Sequence, residues 1–248
     1  MTTMPMRMKK ALHVRAALAL ALVLAAAAVA AADGPTPFPT EPEAFPGRGV
    51  VRVFGWMKDN RQYFWKQRER DHGAIVFAGD SLTDHWKTLR ADFPGRQVAN
   101  RGIGGDVTRG LLFRWQEDVL DLEPPVIVLL IGTNDLSAKE PVSDAIANIG
   151  DMLARTHARL PATRVLLCTL PPRESAAAPI DPATRVALNR EIASLARRSP
   201  GVTLIDLDSL LTGANGTFEA SYFQDDHLHL APPAYAVWRR AVAEALAQ

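Results

Sequence analysis

Val126-Ile127-Val128-Leu129-Leu130-Ile131 runs directly into Gly132-Thr133-Asn134-Asp135. The first six residues carry no polar side chain, so a strand formed from them is apolar on both faces. Such a strand belongs in the middle of a parallel sheet with helices packed on each side. The residues that follow are turn formers. They put a side-chain amide, that of Asn134, at the C-terminal end of the strand, the edge where open α/β sheets bind their ligands.

The same pattern extends in both directions. Further apolar runs occur at 74–78, 97–99, 164–170 and 202–207. Helix-like segments lie between and after them, near 106–120, 141–159, 181–198 and 232–247. In the second of these, Ala145, Ile146, Ile149, Met152 and Leu153 recur at helical spacing. Strand and helix in alternation predict an α/β fold built on a five-stranded parallel sheet with right-handed crossovers. Three strand ends, Gly79-Asp80-Ser81, Asn100 to Gly105 and Gly132 to Asn134, should then converge on one edge.

The N-terminus is different in kind. Arg7, Lys9, Lys10 and Arg15 precede an apolar stretch from Ala16 to Ala32 that ends in small residues. A basic start, a short apolar core and an A-x-A-like end describe a secretory signal peptide over residues 1–32. Export to the periplasm or the medium is therefore expected. If the segment stays uncleaved, it acts as a membrane anchor, at the short limit of a bilayer span. Its removal leaves 24 basic residues against 27 acidic ones, a net charge of −3. That balance gives no general basic surface for nucleic acid. Residues 33–49 hold prolines at 35, 37, 39, 42 and 46 and read as an extended linker. Residues 50–72, with Trp56, Tyr63, Phe64 and Trp65, read as a helical extension to a single domain spanning 50–248. Its charges, Arg61 to Arg70 with Asp59, Glu69 and Asp71, read as a solvated helix face. The lone Cys168 sits in a strand-like apolar run and reads as a small core residue.

Four segments carry candidate chemistry. Ser81 follows the apolar run 74–78 and is placed either to cap the next helix or to act as a nucleophile. Asn100-Arg101-Gly102-Ile103-Gly104-Gly105-Asp106 could turn tightly into a helix, or could aim its backbone amides at an anion. Asn134 is either a turn residue or a side-chain donor. In Asp225-Asp226-His227-Leu228-His229 a spacing of three lets Asp226 reach the ring of His229. That pair is structural, metal-binding or catalytic; no other ligand cluster in the sequence supports the metal.

Taken in order, the four segments resemble the SGNH hydrolases, also called GDSL esterases and lipases, over roughly residues 74–240. The motifs are closest to the platelet-activating-factor acetylhydrolase-like branch. The resemblance implies a flavodoxin-like three-layer α/β/α sandwich without a lid domain. It implies Ser81 as nucleophile with Asp226 and His229 completing a triad. Ser81, Gly105 and Asn134 would form the oxyanion hole, with no metal and no cofactor. Asp80 and Asp106 would be structural. The expected activity is hydrolysis of short acyl esters, acetyl foremost, on a small molecule or a glycan. Leu82 and Leu228, flanking Ser81 and His229, are expected to close the acyl pocket. A lysophospholipase, a thioesterase, an acyltransferase and a non-catalytic binding module are the rival functions.

Overall fold

The computed structural model describes residues 33–248, so the expected signal peptide lies outside the described residues. Five strands form one parallel sheet in the order β2-β1-β3-β4-β5. They are β1 (Ile75–Gly79), β2 (Val98–Gly102), β3 (Val126–Leu130), β4 (Arg164–Cys168) and β5 (Val202–Ile205). Every residue of β1 and β3 is buried, as their two-faced apolar sequences require. Cys168 is a buried member of the core.

Helices cover both faces. The helices α4 (Thr108–Asp118), α6 (Val142–Arg159) and α7 (Pro182–Arg198) lie side by side in one layer. The stripe Ala145, Asn148, Ile149, Met152, Leu153 and Thr156 turns α6 inward. Trp115 of α4 is fully buried and its indole N–H donates to Thr156 Oγ1 at 3.1 Å, joining the two helices. In the opposite layer, the short helices α2 (Ser81–Asp84) and α3 (Leu89–Asp92) precede β2, and α9 (Pro232–Leu246) closes the chain. Aromatic rings pack this layer: Trp86 lies 5.6 Å from Phe77 of β1 and 5.0 Å from Trp238 of α9. Two more short helices, α5 (Thr133–Ser137) and α8 (Leu207–Leu210), follow β3 and β5.

The register brings three strand ends level. Gly79 of β1 pairs with Gly102 of β2 on one side and Leu130 of β3 on the other. The loops that follow these residues therefore leave the sheet together, as the sequence predicts. Gly102 must be glycine, because a Cβ there would stand 2.3 Å from the backbone nitrogen of Asp84. The chain after β1 passes directly over the end of β2.

Two expectations need correction. Residues 37–49 are not a free linker; they belong to the same compact unit as the rest of the domain. Phe45 is buried, and Phe38 and Phe45 pack against Phe113 of α4 at 5.4 and 5.1 Å. Proline has no N–H, so a proline-rich stretch has too few donors to satisfy all of its own carbonyls, although the N–H of Phe45 reaches the carbonyl of Pro42. Arg109 supplies the rest from outside, donating to the carbonyls of Pro42, Phe45, Pro46 and Gly49. Asn148 adds a reciprocal pair with the backbone of Arg48, at 2.8 and 2.9 Å. The helix α1 (Gly55–Asp71) is also only partly a solvated face. Met57, Arg61, Phe64 and Asp71 are buried. The Arg61 guanidinium reaches Glu117 and Asp118, and Asp71 binds Arg101 at 2.9 Å. Arg61 and Asp71 are thus paired across to the domain, and Asp71 also binds its helix neighbour Arg70 at 2.9 Å.

Replacing Arg109 with alanine removes a charged donor from four carbonyls. The loss should be about 1.5–3 kcal/mol in urea unfolding, the range for hydrogen bonds to charged groups. Limited proteolysis should then cut within residues 37–49 while the sheet core stays intact; a protease-resistant Arg109→Ala protein would contradict this packing.

Candidate active site

The loop that carries Ser81 is built by Asp80. Its carboxylate Oδ1 accepts the N–H of Leu82 at 2.9 Å and so caps α2. Ser81 is the first residue of that helix, where N–H groups lack intrahelical partners. Among the described residues the Ser81 N–H makes no hydrogen bond. The Ser81 hydroxyl lies 3.0 Å from His229 Nε2, across 148 residues of sequence.

The histidine loop is held from both ends. Phe223 and Leu230 form an antiparallel bridge, and the N–H of Gln224 donates to the carbonyl of His229 at 2.8 Å. Inside the loop, Asp226 Oδ1 accepts the N–H groups of Leu228 at 3.0 Å and His229 at 2.9 Å. That leaves Oδ2 for the ring, 2.5 Å from His229 Nδ1. His227 takes a left-handed backbone, φ 53°, and its ring packs near Phe218 instead. Partial burial pushes the Asp226 carboxyl up, but the N–H donors of His229 and Leu228 outweigh it and hold it at about 2. Asp226 is therefore ionised at neutral pH. A fixed carboxylate on Nδ1 sets the tautomer that leaves Nε2 free to accept from Ser81.

The other two loops close around the serine. Gly104 lies against it: a Cβ built there would be 3.9 Å from Ser81 Cβ. Among the described residues the N–H of Gly105 makes no hydrogen bond. Asn134, in α5, donates one amide hydrogen to the carbonyl of Asp106 at 2.9 Å, and its second hydrogen is uncommitted. Beside Ser81, two backbone N–H groups, those of Ser81 and Gly105, and the second amide hydrogen of Asn134 thus have no partner among the described residues. An arrangement of this kind can stabilise an oxygen that gains negative charge during acyl transfer.

Asp106 and Asp135 are structural here, and so is Asp80. Asp106 binds the fully buried Arg114 at 2.8 Å, and Arg114 also donates to the carbonyl of Gly79 at 3.1 Å. Asp135 accepts the N–H and hydroxyl of Thr108 and so caps α4 from outside it. One expectation fails at this point. Leu82 is buried in the hydrophobic core and cannot line an acyl pocket. As the second residue of α2 its side chain turns into the aromatic layer, and its carbonyl accepts from Tyr235 at 2.9 Å. Leu228 is half-buried beside His229.

Sequence reasoning missed three residues of the site. His85 packs against His229, with ring centroids 4.6 Å apart and planes tilted by 35°. Its position four residues after Ser81, one helical turn on, is the signal that could have revealed it. Burial above all, and then the neighbouring His229, lower its pKa and favour the neutral ring. Arg173 donates from Nη1 to Thr133 Oγ1 at 2.8 Å and Ser137 Oγ at 3.1 Å, which fixes the helix that carries Asn134. Nothing in its local sequence announces that role, and the same holds for Arg114.

Residues 76–237 match the GDSL-like Lipase/Acylhydrolase family. The chain belongs to that family, and it is a hydrolase. It is 26% identical to the human platelet-activating factor acetylhydrolase IB subunit alpha2 over 186 residues, 73% of this chain and 79% of that protein. A GDSL-like lipase from Bacteroides thetaiotaomicron superposes with a TM-score of 0.63 at 24% identity, covering 71% of this chain and 88% of its own. An acetyl xylan esterase from Geobacillus stearothermophilus shares the fold at a TM-score of 0.57 and 21% identity, over 69% and 93% of the two chains.

Asp80 supplies a test of the site's electrostatics. Burial, with Asp106 and Asp135 nearby, outweighs the Leu82 N–H and raises its pKa from 3.8 to about 7. Its Oδ2 is buried with no partner among the described residues. A raised carboxyl stays protonated in the folded state while the unfolded chain releases the proton. Stability is thus lost as pH rises from about 4 through about 7. Asp80→Asn keeps the acceptor for Leu82 and removes this loss. It should raise the melting temperature at pH 8 and leave it unchanged at pH 4; an equal change at both would contradict the assignment.

Proposed function

We propose that this hydrolase is an exported serine esterase that removes short acyl groups, acetyl foremost, from the hydroxyls of a carbohydrate or glycan. The observation that carries the chemistry is the hydrogen-bonded chain Ser81–His229–Asp226. His229 Nε2 takes the proton of Ser81 as Oγ attacks the ester carbonyl. The oxyanion is held by the N–H groups of Ser81 and Gly105 and by the Asn134 amide. His229 then gives its proton to the departing alcohol and afterwards activates the water that frees the acyl group from Ser81. Asp226 orients the imidazole and stabilises its charged form. No step calls on a metal or a cofactor.

The substrate class has separate support. A cleft of about 210 Å³ is lined by Asn60, Tyr63, Asp84, Lys87 and Arg90 together with the apolar Phe64, Trp86 and Leu89. Asp84 also stands 3.8 Å from the Cβ position of Gly104, so the cleft adjoins the serine loop. The charged and amide groups of this cleft, set against the apolar side chains of Phe64, Trp86 and Leu89, can hydrogen-bond a hydroxyl-rich alcohol. The names of two relatives, an acetylhydrolase and an acetyl xylan esterase, point to acetyl. Export rests on residues 1–32 of the sequence.

The experiment is release of p-nitrophenol from esters running from acetyl to dodecanoyl, by wild type, Ser81→Ala and Asn134→Ala. Turnover should peak at acetyl and vanish in Ser81→Ala, and Asn134→Ala should lose roughly 10²–10³ in kcat. A peak at dodecanoyl would move the reading to a lipase or lysophospholipase, and full turnover by Ser81→Ala would overturn it.

A further inference from the structure

Ile103, Gly104, Gly105 and Asp106 form a β-turn closed by the N–H of Asp106 on the carbonyl of Ile103 at 3.1 Å. Gly105 has φ +83°, which marks the type II form of the turn. Types I and II differ in the orientation of the central peptide, here the one joining Gly104 to Gly105. That peptide supplies the Gly105 N–H. With glycine at both central positions, neither form is excluded by a side chain, so the turn itself chooses weakly.

An outside contact makes the choice. The indole N–H of Trp56, 48 residues earlier, donates to the carbonyl of Gly104 at 2.9 Å. Trp56 is 52% exposed, and its ring stacks on Phe54 at 4.4 Å, 17° from parallel. Phe54 and Met57 also approach the turn, at 3.5 and 3.6 Å from the Cβ position of Gly105. In a trans peptide the C=O and N–H point in opposite directions. Tying the Gly104 carbonyl to the indole therefore turns the Gly105 N–H away from the indole. A hydrogen bond on the carbonyl also polarises the peptide and strengthens its N–H as a donor.

We propose that Trp56 is a positioning residue of the oxyanion hole: its indole N–H holds the Gly104–Gly105 peptide in the orientation that presents the Gly105 N–H to the reacting ester. The inference rests on the reading of Ser81 and Gly105 given above. It assigns a role in turnover to α1, which packs at the edge of the domain and carries no triad residue. The exposed Phe54–Trp56 pair becomes the clamp on the turn.

The test uses the full-length enzyme with p-nitrophenyl acetate and a trifluoromethyl ketone, whose hydroxyl-adduct oxyanion occupies the same hole. Trp56→Phe keeps a ring to stack on Phe54 and removes the N–H. It should lower kcat about 3- to 10-fold with KM unchanged, the effect of one hydrogen bond. The ketone's inhibition constant should rise by the same factor. Incorporating benzothienylalanine at position 56 exchanges only the N–H for sulfur and should reproduce both changes without loss of melting temperature. Unchanged kcat and inhibition in both proteins overturns the inference, and so does a rise in KM alone, which would make Trp56 a substrate contact. Ser81→Ala is measured alongside. If it is active, the triad reading fails; if it is inactive while the Trp56 variants behave as wild type, only the role of Trp56 fails.

Discussion

The level ending of β1, β2 and β3 is the constraint on which the site depends. Gly79 stands in register with Gly102 and Leu130, so the sheet stops at one line and three loops rise from it. Gly102 leaves room for the chain beyond Ser81 to cross the end of β2. A single residue of slip between parallel strands would carry the glycine turn, or Asn134, out of reach of the serine. The apolar burial that fixes the register also fixes the geometry of the chemistry: Val76, Phe77 and Ala78 of β1 and Ile127 to Leu130 of β3 are almost wholly excluded from water.

Beneath those loops lies a layer of buried charge. Arg114 joins the carbonyl of Gly79, at the end of β1, to Asp106, at the end of the glycine turn, and reaches Asp118 at 3.4 Å. Arg61 carries the network outward to α1 through Asp118 and Glu117. Pairs of this kind add little net stability, because desolvating both charges offsets their attraction. Breaking one is different: an unpaired buried charge costs about 3–5 kcal/mol. The network therefore acts as a brace that makes displacement of the loops expensive. The polar chemistry of the site rests on a framework whose alternatives are worse, and α1 is tied into it through Arg61 below and Trp56 above.

Periodicity and composition were enough to read the sheet, the main helices and the four loops, because strand burial on both faces and helical spacing leave local marks. Ser81, Asn134, Asp226 and His229 could be singled out as candidates because each sits in a short motif at a strand end or at a spacing of three. Leu82 was misread because flanking a serine in sequence says nothing about which way a helix residue turns, and here it turns into the aromatic core. The proline-rich segment was misread because its partners, Arg109 and Asn148, lie 60 to 100 residues away. Arg114, Arg173 and Trp56 stayed hidden for a related reason. Each works through one backbone or side-chain contact across the fold, and such a contact leaves no period and no motif.

The central claim is that Ser81 is a nucleophile activated by His229. The most direct measurement is the intact mass of the protein after brief treatment with a fluorophosphonate, followed by peptide mapping, for wild type and His229→Ala. The account predicts one phosphonyl adduct, on Ser81, formed at least a hundredfold more slowly when His229 is absent, roughly the contribution of a positioned general base. An adduct on any other residue, or labelling of Ser81 at the same rate without His229, would contradict it.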